Sequence, residues 1–111
     1  MTVRPFIIQE GRGDRDTTNP TTENVVRAGD IPDRVTLYRH DLFGQNALFN
    51  DPHSVVIRTD NALMKSVALM SQDQIAAFFA SDGASVIDPD GNGVLFEVPA
   101  SFIPTDFGFI P

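Results

Sequence analysis

The sequence predicts an α+β fold: a mainly antiparallel sheet of about five to seven strands with one short helix near 72–81, or alternatively an all-β barrel or sandwich with that helix as an accessory. Three observations predict it. Short runs rich in β-branched residues recur between turn-forming clusters. One stretch combines helical spacing with start and stop signals. A length of 111 residues with 41% hydrophobic side chains suits one core, read as a single domain over 1–111.

Taken in order, residues 3–9 form a strand-like run broken by Pro5, which suits a sheet edge where a missing N–H costs nothing. Residues 10–23 contain almost no apolar side chain and cannot offset their ordering entropy by burial, so a mobile polar loop is expected. The Arg12-Gly13-Asp14 tripeptide inside it reads as chance in a loop of this composition. Residues 24–27 and 34–39 are strand-like and are separated by the turn formers Gly29, Asp30, Pro32 and Asp33.

Residues 41–53 are irregular, yet Leu42, Phe43, Leu48 and Phe49 anchor them to a core. Residues 54–59 read as a strong strand, and 62–70 as its return after a turn at Asp60-Asn61, although Leu63, Val67 and Met70 also stand at helical spacing. The helix over 72–81 takes Ser71 as N-cap with Gln74 completing a capping box, and Gly83 as its left-handed stop. Its buried stripe is Ile75, Ala76, Phe78 and Phe79. Residues 85–87 and 94–98 suggest a hairpin. Residues 99–111 hold Pro99, Pro104 and Pro111 and are excluded from helices and central strands.

Composition removes several functions. Without cysteine there is no disulfide framework, zinc ribbon, iron–sulfur cluster or thiol nucleophile. A net charge of -7 argues against a nucleic-acid or anionic-membrane partner. The charge is a gradient: residues 1–65 carry nine acids and all eight bases, while 66–111 carry six acids and no base. No stretch resembles a targeting segment or a membrane span, which leads to the expectation of a cytoplasmic protein, or of a virion component if the source is viral.

Two constellations carry candidate chemistry. Asp88-Pro89-Asp90-Gly91-Asn92-Gly93 places Asp88, Asp90 and Asn92 at alternate positions and resembles the first half of a calcium-binding loop, with Pro99 where the closing glutamate would stand. The same string resembles the closing hairpin of the glyoxalase and bleomycin-resistance superfamily; there the metal-ligand position is Leu95, so that resemblance implies no ligand. A tight turn is the ordinary reading of these residue types. His40-Asp41 and Asp51-Pro52-His53 bracket one irregular segment, so its two histidines and a carboxylate are a candidate divalent-metal or acid–base set. No nucleophile elbow or phosphate cradle is present.

The strongest feature is the tail, where Phe102, Ile103, Phe107, Phe109 and Ile110 form an extended apolar strap between prolines. Leaving such side chains in water costs about 1.5–3 kcal/mol each. These features suggest a non-catalytic structural or partner-binding protein, homo-oligomeric or bound to another protein, such as a virus or phage structural subunit. The alternatives are an acidic inhibitor of a basic partner groove, and a small metal-assisted enzyme using His40 and His53.

Overall fold

A computed structural model describes residues 4–17, 19–44 and 51–100. Its sheet has three strands in the order β1 (Ile8–Gly11), β2 (Val35–Tyr38), β3 (Phe96–Glu97). β1 runs parallel to β2, with Ile8 opposite Val35 and Gly11 opposite Tyr38, while β3 runs antiparallel, with Phe96 opposite Tyr38. A sheet of five to seven antiparallel strands and an all-β barrel or sandwich are overturned: among the described residues the architecture is a small mixed sheet with helices. Parallel neighbours require a crossover, and helix α1 (Asn19–Gly29) supplies it.

The expected strand at 24–27 lies inside α1. Val25 and Val26 favour strands, but by no more than about 1 kcal/mol each, and tertiary context overrides the preference: Val26 is buried while Val25 faces out. Pro20 stands in the first helical turn, where a missing N–H is tolerated. The polar stretch 10–23 is therefore not one loop. It closes β1, turns at Asp14, and opens α1.

Helix α2 (Lys65–Ala80) is longer than the expected 72–81 and absorbs most of the expected return strand. The helical spacing of Val67 and Met70 is the truer signal, since Val67 is fully buried. Ser71 and Gln74 sit in the helix interior and are buried, so they form no capping box. Asn61 satisfies the backbone at that end, its Oδ1 accepting from the N–H of Leu63 (2.9 Å) and of Met64 (3.3 Å). Gly83 does end the helix, with φ +82° and its N–H donating to the Phe78 carbonyl at 2.8 Å. A side chain at Gly83 would collide with Pro5. The expected strand at 54–59 is a 3-10 helix, Val55–Asp60, kinked at Arg58 and packed on α2.

Alternation along the strands assigns the two faces. Gln9, Thr36, Tyr38 and Phe96 look toward α2: the Gln9 amide donates to the Ser71 carbonyl, and Tyr38 and Phe96 join Met64 and Val67 in the core. Ile8, Glu10, Val35 and Leu37 take the opposite face, where α1 meets β1 and buries Val26 and Glu23. Gln74, wholly buried, ties the α2 face together. Its Oε1 accepts from Gln9 Nε2 (2.9 Å) and from the Thr36 hydroxyl (2.9 Å), and its Nε2 donates to the Ile87 carbonyl (2.9 Å).

The hairpin expected between 85–87 and 94–98 does not form, because β3 pairs with β2 instead. Pairing runs past the formal strand at both ends, from Arg39 N–H to the Leu95 carbonyl (2.7 Å) and from Ala100 N–H to the Val35 carbonyl (2.8 Å). Among the described residues no helix is long and apolar enough to cross a membrane.

Candidate functional site

Where β1 ends, Arg12 N–H still donates to the Tyr38 carbonyl at 2.8 Å, and Gly13, with φ +92°, then turns the chain. Asp14 organises the next residues: its Oδ1 accepts from the N–H groups of Asp16 (2.9 Å) and Thr17 (2.8 Å). Segment 51–54 docks against this turn. Pro52 is buried and packs on Gly11, where an added Cβ would sit 3.2 Å from the proline ring. Asp51 Oδ1 accepts from the N–H of His53 (3.1 Å) and of Arg15 (3.2 Å), stitching the two segments together. Ser54 then adopts a left-handed φ of +56°, a costly conformation for a residue with a side chain.

The result is a cluster of Asp14, Asp16 and His53, whose ligand atoms all lie within 4.8 Å of one another. His53 Nδ1 stands 3.1 Å from Asp14 Oδ2 and 4.0 Å from Asp16 Oδ2. Two carboxylates and one imidazole suit Zn²⁺, Mn²⁺ or Fe²⁺. With bonds of about 2.0–2.2 Å, neighbouring ligand atoms stand roughly 3–3.5 Å apart. The Asp14–His53 separation meets that, and Asp16, largely exposed, closes the remainder by rotating a side chain. Asp14 also borders a cavity of about 100 Å³ lined by Glu10, Thr36, Tyr38, Ser54 and Ser71. Such a volume holds a few waters at most.

Of the four residues expected to ligate together, His53 joins this cluster and Asp51 supports it through the backbone. His40 and Asp41 belong to another group. His40 is fully buried, its Nδ1 2.8 Å from the Tyr38 hydroxyl and its ring stacked on Phe43. Burial, with the charge of Asp41 nearby, pushes the Tyr38 hydroxyl well above its ordinary value of about 10. Asp41 accepts two bonds from Arg39, 2.8 Å from Nε and 2.7 Å from Nη2, and these hold its carboxyl below the usual range. Arg39 Nη1 reaches on to Glu97 at 3.0 Å and so clips β3 to the end of β2.

No protein family, curated protein or solved structure matches this chain. Its own geometry carries the functional reading.

Sequence reasoning missed Asp14 and Asp16. Asp14 belongs to the Arg12-Gly13-Asp14 tripeptide, but its carboxylate is engaged by the turn and by His53 rather than displayed. Asp88 and Asp90 lie in the expected turn, where the Gly91 N–H donates to the Asp88 carbonyl at 3.1 Å. Asp90 Oδ2 is occupied by the Leu95 N–H at 2.9 Å, and Asn92 is exposed. Burial, then the neighbouring Asp90 carboxyl, raises the Asp88 carboxyl above its ordinary value. Phe102, Ile103, Phe107, Phe109 and Ile110 lie outside the described residues.

A second surface feature stands at the β1 edge. Pro5, Phe6, Ile7, Ile75, Phe78 and Phe79 line an open apolar groove of about 460 Å³, with Phe79 74% exposed.

Proposed function

We propose that this chain is a non-catalytic binding domain that takes up one divalent transition-metal ion between its 12–17 and 51–54 segments. The convergence of Asp14, Asp16 and His53 carries the reading. The ion would act as a tie, replacing a weak contact between segments distant in sequence with coordination bonds. The cavity beside it, about 100 Å³, is far smaller than the roughly 300–1,000 Å³ of small-molecule sites, which favours a structural ion over a substrate-activating one.

Isothermal titration of chelator-treated protein with Zn²⁺ and with Mn²⁺ tests this. One saturable site is expected, weakened roughly tenfold or more by Asp14→Asn and by His53→Ala, with Asp51→Asn in the tenfold range of a supporting residue. Metal at a hundred times its Kd is expected to stabilise the fold by about 2.7 kcal/mol. Protons compete with the metal for its ligands, so uptake weakens with acid. Absence of saturable binding, or binding indifferent to Asp14 and His53, would remove the proposal.

A second reading, a homo-oligomeric assembly component such as a virus or phage subunit, draws on large apolar side chains exposed away from the groove, notably Ile57 (69%) and Val94 (67%). Self-association decides it, and a monomer across the concentration range overturns it.

A further inference from the structure

We propose that the apolar groove at the β1 edge is the seat of residues 101–111 of the same chain, a surface whose role is independent of the metal site. Three observations select this occupant.

The first is position. Ala100 is held beside Val35 by a 2.8 Å hydrogen bond, so the described residues end at the start of β2. Val98 and Pro99 line a small hollow together with Ile7, and Ile7 also lines the groove. The hollow and the groove therefore share Ile7, and the described chain stops one residue beyond the hollow's lining. Eleven residues remain, and at about 3.3 Å each they reach roughly 36 Å, ample to run its length.

The second is chemistry. The groove is walled by Phe6, Ile75, Phe78 and Phe79, and the tail offers Phe102, Ile103, Phe107, Phe109 and Ile110. Proline disfavours both helix and regular strand pairing, so with Pro104 in the sequence recognition would fall to side chains. The third is charge. Asp106 is the sole charged side chain of 101–111, and beyond Phe78 and Phe79 the groove adjoins a second hollow bordered by Asp82 and by the exposed Arg4, which offers Asp106 a counter-charge.

The absence of tryptophan makes the test direct. Phe107→Trp in the full chain places one indole in the tail, and its emission is read with and without Phe79→Glu, a substitution at an exposed position that leaves the core intact. The expected result is blue-shifted emission, poorly quenched by acrylamide and independent of protein concentration, that moves to a solvent-exposed value in Phe79→Glu while the Tm of the two proteins stays within a few degrees. Solvent-exposed emission in both, or a blue shift indifferent to Phe79→Glu, overturns the proposal. A blue shift that fades on dilution, with light scattering showing dimers, overturns it in favour of the groove of a second copy.

Discussion

Replacing Gln74 by leucine removes the hub of the α2 face while keeping most of its volume. Oε1 serves two donors there. The Thr36 hydroxyl, on a residue 3% exposed, loses its acceptor, at about 1–3 kcal/mol. Gln9 Nε2 keeps its 3.0 Å bond to the Ser71 carbonyl, so its loss is nearer 1 kcal/mol. The Ile87 carbonyl loses the Gln74 amide, but Ile87 is 38% exposed and water substitutes at little cost. The total is about 2–4 kcal/mol out of a stability of order 5–15, which corresponds to a fall in Tm of roughly 10–25 °C.

Urea denaturation followed by circular dichroism measures the effect, and the double variant Gln74→Leu, Thr36→Val tests its cause. Removing both partners eliminates the stranded hydroxyl, so the double variant is expected to be about 1–2 kcal/mol more stable than the sum of the singles implies. A Gln74→Leu protein within about 0.5 kcal/mol of the parent, or strict additivity, would refute the reasoning that this network holds the helix on the sheet.

Two further outcomes are expected from the geometry. Gly83→Ala puts a side chain on a left-handed residue and against Pro5, and is expected to cost about 2–4 kcal/mol in urea denaturation; Gly44→Ala, where a Cβ meets nothing within 4 Å, is the neutral control. Tyr38 is the one tyrosine, so absorbance at 295 nm reports it alone. Its folded value is raised above the unfolded one, so its share of stability is complete below pH about 10 and is lost as pH climbs toward the folded value. The folded protein is expected to form no tyrosinate at pH 10.5, whereas an ordinary titration there would contradict a buried hydroxyl.

Local signals are legible where one interpretation fits them. The apolar run at 34–39 forms β2, Gly83 ends a helix, and 88–93 forms a turn, since each depends on backbone preferences within a few residues. Ambiguity arises where one pattern has two solutions. Ser71 and Gln74 have the spacing of a capping box, but equally that of two polar residues on one buried helix face, and only contact with Gln9 and Thr36 decides between them. Val25-Val26 and Val55-Val56-Ile57 are β-branched runs that enter helices because the sheet has no place for them. The Asp14–Asp16–His53 cluster is half visible in the sequence: His53 and Asp51 stand out as near neighbours, whereas Asp14 lies 39 residues from His53 and nothing local announces the pairing. Gly11, whose missing side chain admits Pro52, is the one sequence feature that fits the docking, and it becomes meaningful only once β1 is in place.

The position of β2 between β1 and β3 governs how the chain assembles during synthesis. β1, α1 and β2 are complete by residue 38, yet the other side of β2 waits for a strand whose clip, Arg39 to Glu97, spans 58 residues. Until then an apolar strand presents a bare edge, the kind of template on which unfinished chains pair with one another. Closure is therefore a late, high-contact-order step. A chain terminated before Phe96 keeps a sheet that is open along its central strand and a core without Phe96, so association joins unfolding as its liability.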